Sequence, residues 1–156
     1  MNKYEFIGKT REEAIEQALS ELNSKEEDLI INEKEQKGGL FKSKKVVLEV
    51  FKNSDVVIFV KESILKITAS MGIDAKIEVK ERNGILNIVL YSESNNILIG
   101  KNGRTIDALS LIVKQMIQNE IGKPFKFNLD VAEYKLKFVA YRLLSPYQPH
   151  FLHLYY

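Results

Sequence analysis

The chain has 156 residues, 45% of them hydrophobic and 28% charged, with a net charge of only +2 and no cysteine. This length suits one average domain or two small ones, while the lack of cysteine excludes disulfides, a thiolate nucleophile and cysteine-based metal sites. The apolar runs are too short to cross a bilayer, the N-terminus lacks a signal peptide, and the mild charge does not by itself indicate nucleic acid. We therefore expect an intracellular protein.

Residues 1–52 are predicted to form a small strand–helix–strand–strand domain. Thr10 and Glu13 fit a capping box, in which each side chain bonds backbone at the other residue, and apolar residues at helical spacing extend a helix over 11–22. Because a domain of about 50 residues is small, we expect either a thin core or support from a neighbour. Alternating apolar residues predict its strands, at 2–8, 29–35 and 44–51.

The glycine turn before the third strand carries two apolar residues, Leu40 and Phe41, among several lysines. Two interpretations stay open. The pair forms a contact patch for a partner protein, because loops often carry function. Alternatively, it is a hairpin tip that folds onto its own sheet, because isolated surface apolar residues are common.

Residues 53–134 are predicted to form a second α+β domain. Its first stretch suits a strand or a helix, but the later apolar spacing favours a helix that Ser54 caps and Gly72 ends. The predicted apolar face of this helix comprises Val57, Val60, Ile64, Ile67 and Met71. The elements that follow are strands at 76–80 and 85–91 joined by an Asn83–Gly84 hairpin turn, a short helix at 94–99, a helix from 106, and a strand at 125–131.

A glycine loop lies between the last two helices, where Gly100 and Gly103 bracket two polar residues. Glycines let backbone approach a ligand without side chains in the way. The next helix begins with unpaired N–H groups, to which Lys101 and Arg104 add positive charge. KH domains clamp single-stranded nucleic acid with such a loop. An ordinary glycine turn is the alternative, but the order helix–strand–strand–short helix–loop–helix–strand is that of a type II KH domain and favours the KH interpretation.

The predicted binding site joins this loop to an apolar groove. Phosphates lie against the loop, bases lie over the groove, and the neighbouring strand reads base edges over about four nucleotides. Core packing is the alternative for the apolar members, and we expect Ile106 and Leu109 to serve both purposes. The predicted RNA-binding residues are Gly100, Lys101, Asn102, Gly103, Arg104, Ile97, Ile99, Ile106 and Leu109, with Ile88 as a further candidate for the groove.

Few phosphate contacts predict weak binding by one domain. Useful affinity then needs a second KH module, supplied by a homodimer or a partner.

Three stretches of the chain resemble the Jag family, whose members are also called KhpB or SpoIIIJ-associated proteins. They are residues 1–51 with the Lys-Gly-Gly-Leu-Phe turn, Leu98 to Leu109, and Leu129 to Val131 followed by Tyr134. The resemblance implies a cytoplasmic bacterial protein that binds RNA, regulates or chaperones it, and is linked to cell elongation, division and envelope growth. It also implies a KH-only protein as partner.

Residues 135–156 depart from the family pattern. The family continues into a third domain with an Arg-x-x-x-His motif, whereas Arg142 is followed four residues later by Pro146. We expect an atypical or truncated aromatic tail here, so functions of the third domain are not carried over.

Catalysis is not expected from this sequence. His150 and His153 lack an obvious carboxylate partner, and the glycine loop lacks the spacing of a P-loop, so we predict no enzyme, cofactor or metal site. The competing function is a protein-interaction adaptor that acts through the N-terminal domain and the aromatic tail.

Overall fold

The computed structural model describes residues 1–35, 45–82 and 84–132 of the chain. Leu40, Phe41, Asn83, His150 and His153 lie outside these ranges, as does the predicted tail. Within the described ranges, no helix is long and apolar enough to span a bilayer. The strands are β1 (Tyr4–Gly8), β2 (Leu29–Glu35), β3 (Val46–Lys52), β4 (Lys76–Arg82), β5 (Ile85–Tyr91) and β6 (Phe127–Val131), and the helices are α1 (Arg11–Leu22), α2 (Asn53–Ser70), α3 (Asn95–Ile99) and α4 (Arg104–Ile121).

The described chain groups into two compact units. Residues 1–66 and 112–125 form the first unit, while residues 67–111 and the described residues from 126 onward form the second. Both α2 and α4 therefore contribute residues to each unit. Each unit contains one sheet of three described strands, and the predicted α+β class is confirmed.

The first unit is built on an antiparallel sheet in the order β1-β3-β2. One face packs against α1, and Gly8 permits this close approach because a Cβ there would lie only 2.8 Å from the backbone nitrogen of Ala14. The apolar core on this face is made by Phe6, Ala14, Ile15, Ala18, Leu22, Leu29, Leu48 and Val50.

The opposite face of the same sheet is also buried, as Ile30, Val47 and Phe51 show. Two side-chain hydrogen bonds connect β2 with the end of α4. One reaches the last residue of the helix, and the other comes from a residue just after it. Asn32 donates to the carbonyl oxygen of Ile121, and the Lys123 ammonium donates to the carbonyl oxygen of Ile31 at 3.1 Å. The sheet of the first unit is therefore buried on both faces, which adds apolar burial beyond the core against α1.

The N-terminal cap of α1 forms largely as predicted. The Thr10 hydroxyl accepts a hydrogen bond from the Glu13 backbone N–H at 3.2 Å. The Glu13 carboxylate, however, accepts from the backbone N–H of Lys9 at 2.7 Å rather than from that of Thr10. The reciprocal bond of the predicted capping box therefore forms with Lys9 instead of Thr10. It still gives a hydrogen-bond partner to a backbone N–H at the start of the helix.

Helix α2 differs from the prediction in its start and in its buried face. It begins at Asn53, so Ser54 lies inside it and is not its cap. The completely buried row is Val56, Val60, Ile64 and Thr68, at a spacing of four residues. Of the predicted face, Val57 and Ile67 are only half-buried and Met71 is exposed. The predicted end at Gly72 is confirmed, since its φ of 74° turns the chain and Ile73 N–H donates back to Thr68 at 2.9 Å.

The second unit is built on a sheet in the order β4-β5-β6. β4 and β5 are antiparallel, whereas β5 and β6 are parallel. One face of β5 carries Leu86, Ile88 and Leu90, all buried, and successive residues point to opposite faces of a strand. The element order predicted around the glycine loop is observed, and β6 lies at the edge next to β5.

Candidate nucleic-acid interface

The glycine loop joins α3 to α4 through a single 3₁₀ turn over Lys101–Gly103. Three of its residues have left-handed backbone, with φ of 69° at Gly100, 56° at Asn102 and 79° at Gly103. Glycine adopts this conformation freely, and asparagine is one of the few other residues that visit it routinely. The loop shape therefore depends on these three residue types.

Gly100 is also confined by its surroundings. Its N–H donates to the carbonyl oxygen of Asn96 at 2.9 Å, and its own carbonyl accepts from Gly103 at 3.3 Å. A Cβ built on Gly100 would collide with the Thr105 hydroxyl and lie 2.8 Å from the Thr105 Cβ. Any other residue here would have to displace the first turn of α4.

Positive charge collects at the entrance of α4. The side chains of Lys101, Asn102 and Arg104 are exposed, and the positive end of the α4 dipole favours anions. Asp107 in that turn adds one negative charge. The entrance therefore presents two cations and the positive end of the helix dipole against a single carboxylate.

The predicted apolar groove residues differ widely in exposure. Ile97 is 52% exposed, whereas Ile106 and Leu109 are 6% and 3% exposed, and Ile99 is half-buried. Ile88 is also buried. Ile97, with part of Ile99, therefore offers most of the apolar area near the loop, and the structure places Ile88, Ile106 and Leu109 in the core.

Strand β6 is an outer strand of the sheet in the same unit. Among the described strands it pairs with β5 alone, in parallel. Asn95 ties the start of α3 to this strand, since its amide nitrogen donates to the Ala132 carbonyl at 3.4 Å and its oxygen accepts from Ser92 N–H at 2.9 Å. An exposed isoleucine, the glycine loop and a strand edge thus belong to one unit.

Sequence reasoning missed two features of this unit. The first is Thr105, which lies beside Gly100. Nothing in the sequence indicated this contact except that Thr105 follows the loop by two residues. The second feature is the open face of the second sheet, which the alternating charges of β4 indicated. On this face the Tyr91 hydroxyl donates to the Glu78 carboxylate at 2.6 Å. This hydrogen bond raises the pKa of Tyr91. A shallow concavity of about 240 Å³ on this face is lined by Glu78, Lys80, Arg82, Asn87, Val89 and Tyr91.

Comparison with known families agrees with this fold and loop. Residues 55–133 match the model of the KH domain. Since that match spans half of the chain, the chain belongs to the KH domain family.

A curated relative extends the comparison beyond that domain. The chain is similar to the RNA-binding protein KhpB of Clostridium symbiosum, with 28% identity over 141 residues that cover 86% of this chain and 63% of the relative. The resemblance predicted from the sequence is thereby confirmed, and the chain spans less than two thirds of that relative's length.

Among solved structures, the chain is similar to one titled crystal structure of Era in complex with MgGDPNP and nucleotides 1506–1542 of 16S ribosomal RNA. The TM-score is 0.33 and the identity 22%, over 58% of this chain and 35% of the other. This likeness is too distant to assign roles to individual residues.

Proposed function

We propose that this protein binds single-stranded RNA through the loop from Gly100 to Gly103. The observation that carries the proposal is the left-handed backbone of this loop at the entrance of α4, in a chain that belongs to the KH domain family. A KH loop of this kind clamps the backbone of about four nucleotides. The name of the KhpB relative supports RNA as the ligand.

In the proposed complex, the loop holds two or three phosphates. Lys101 and Arg104 supply the positive charge, and both side chains are exposed. The first-turn N–H groups of α4 add donors that suit an anion. This part of the site recognises the sugar-phosphate backbone and carries little sequence information.

The bases lie over Ile97 and toward strand β6 in this proposal. The exposed half of Ile97 offers an apolar surface, and backbone groups of the neighbouring strand would bond base edges. Because Ile106 and Leu109 are in the core, the apolar support is smaller than the sequence alone suggested. We therefore expect modest base specificity.

A single site of this size binds weakly, because few phosphates are neutralised. We propose that a second KH module, from another copy of this chain or from a KH-only partner, raises the affinity by linking two sites. Titration of a short RNA against protein at increasing concentration would show this as steeper binding once dimers form.

The central test replaces Lys101 and Asn102 by aspartate in one variant. Two acidic side chains at the loop would repel phosphates. Both positions are exposed, and aspartate, like asparagine, can adopt the left-handed backbone of position 102. Fluorescence anisotropy with a short single-stranded RNA should show binding by the wild type and none by this variant. Circular dichroism should show the same fold for both.

A matched control carries the same change of charge elsewhere. Lys114→Asp with Gln118→Asp alters two exposed residues of α4, and Lys114 lies about 15 Å along the helix axis from Arg104. This control should bind RNA nearly as the wild type does. Equal binding by the loop variant and the wild type would rule out the proposed site.

The resemblance to KhpB supports a cellular role for this binding. We propose a bacterial regulator or chaperone of RNA in the cytoplasm, linked to cell elongation and division. Cells that carry the Lys101→Asp, Asn102→Asp variant as their only copy should then show altered length or division, and the helix control should restore normal cells. The adaptor alternative depends on Leu40, Phe41 and the aromatic tail, which lie outside the described residues.

A further inference from the structure

We infer that the hydroxyl group of Thr105 is an additional ligand of the phosphate that the glycine loop holds. The inference rests on the proposed function and deepens it, since it adds a residue behind the loop to the binding site. It follows from the position of the hydroxyl, from its lack of a partner, and from the charges beside it.

The Thr105 side chain lies directly against the loop. A Cβ built on Gly100 would collide with its hydroxyl oxygen and would lie 3.0 Å from its backbone nitrogen. Thr105 is the second residue of α4, so this nitrogen belongs to the first turn. The hydroxyl and the first-turn backbone nitrogen of Thr105 therefore both pack closely against the Cα of Gly100.

The hydroxyl makes no hydrogen bond to any of the residues in 1–35, 45–82 and 84–132. A threonine in a helix often bonds the carbonyl three or four residues earlier, and Thr105 does not. It is only half-buried, so solvent or a ligand reaches it. A hydroxyl is a donor as well as an acceptor, and it is available here at the point where phosphate is proposed to bind.

The surroundings select an anionic partner for this donor. Arg104 precedes it with an exposed side chain, and the first turn of α4 carries the positive end of the helix dipole. Hydroxyl side chains, first-turn amides and arginine are the groups that usually contact phosphate oxygens in nucleic-acid complexes. A bond from a hydroxyl to a charged oxygen is also stronger than a neutral one.

Two substitutions separate this role from a steric one. Thr105→Val keeps the branched shape and loses the hydroxyl, whereas Thr105→Ser keeps the hydroxyl and loses the methyl group. Anisotropy titration with a short single-stranded RNA should show binding weakened about tenfold by Thr105→Val. Thr105→Ser should stay within about twofold of the wild type. Binding by the valine variant at wild-type strength, or an equal loss in both variants, would overturn the inference.

A modified RNA tests the phosphate directly. Replacing each phosphate in turn by an uncharged methylphosphonate should identify one position at which the wild type and Thr105→Ser lose affinity. At that position Thr105→Val should lose clearly less, because its bond is already missing. Equal losses in the wild type and Thr105→Val at every position would contradict the inference even if the valine variant were less stable.

The same titrations distinguish this inference from the proposed function. If the wild type binds and Lys101→Asp with Asn102→Asp does not, the site stands and only the role of Thr105 is at issue. If the wild type and the aspartate variant bind equally, the site itself is wrong and the inference fails with it. Thermal unfolding of each variant confirms that the compared proteins are folded.

Discussion

The side-chain amide of Asn32 donates a hydrogen bond to the carbonyl oxygen of Ile121, the last residue of α4. The last carbonyl groups of a helix have no partner within the helix, so a strand residue supplies one here. Gly122 follows with a φ of 74°, which turns the chain away from the helix axis. This bond lies inside the first unit and secures the end of the helix whose other end carries the glycine loop.

Asn32→Ala should therefore destabilise the protein by about 1 kcal/mol, because a part-buried carbonyl loses its donor. Urea unfolding at neutral pH measures this change. Asn119→Ala is a suitable control, since Asn119 accepts its bond from Gln115 on the exposed surface of α4. That control should stay within about 0.5 kcal/mol of the wild type.

Glu49 gives the protein a specific dependence on acid. Hydrogen bonds from Lys3 and Lys34, each at 2.9 Å, hold its pKa below the ordinary value of 4.5, although burial acts in the opposite direction. A carboxylate with a lowered pKa stabilises the folded state above its unfolded pKa. This contribution should be lost as the pH falls below the ordinary value of 4.5 and through the lowered pKa of the folded state.

Glu49→Gln should cost about 1–2 kcal/mol at pH 7, because two charge-assisted bonds weaken while both lysines remain half-exposed to water. As the pH falls through the lowered pKa of Glu49, the stabilities of the variant and the wild type should converge. Glu33→Gln removes an exposed pair with Arg11 at 3.6 Å and should have almost no effect. Urea unfolding of the wild type and of each variant at each pH measures these differences in stability. If Glu49→Gln differs from the wild type by the same amount across the pH range, this role of Glu49 is refuted.

Gly100→Ala should reduce both stability and RNA binding. The residue would need a left-handed φ and would collide with Thr105, for a combined cost of about 2–3 kcal/mol. RNA affinity should fall by at least about tenfold, because the loop can no longer keep its shape. Calorimetric unfolding and anisotropy titration measure the two effects.

Gly72→Ala is the matched control for that substitution. Its φ of 74° is similar, but nothing lies within 4 Å of the added Cβ. It should lose only about 1 kcal/mol of stability and bind RNA normally. Similar RNA-binding losses in both alanine variants would indicate a general effect of destabilisation.

The salt dependence of binding should be shallow. If Lys101 and Arg104 each neutralise one phosphate, the logarithm of the binding constant should fall with the logarithm of salt concentration at a slope of about −1.4. Arg104→Gln should bring the slope to about −0.7. Arg82→Gln, on the open face of the second sheet, should leave it unchanged, and a reduced slope there would place RNA on that face as well.

Much of the fold could be predicted because its signals are local. The cap at Thr10, the stop at Gly72, and the alternation in β4 and β5 depend on residues a few positions apart. The glycine loop is equally local, since its left-handed backbone requires glycine or asparagine at defined places. These features were therefore visible in the chain before any packing was known.

Packing was harder to predict because it depends on distant partners. The apolar residues of α2 suit two overlapping helical faces, and only the neighbours of the folded helix select the one with Val56 over the one with Val57. Likewise, Ile106 and Leu109 carry apolar side chains that suit a core or a groove. Their burial depends on neighbours that are distant in the chain.

What the sequence determined by itself is the series of elements and the glycine loop, because caps, turns and periodicity act within a few residues. The tertiary structure decided which surfaces remain open, because exposure depends on contacts between residues far apart in the chain. It left Ile97 exposed, buried both faces of the first sheet, and set the Thr105 hydroxyl beside Gly100. Only the folded chain brings that hydroxyl and that glycine backbone to one small space.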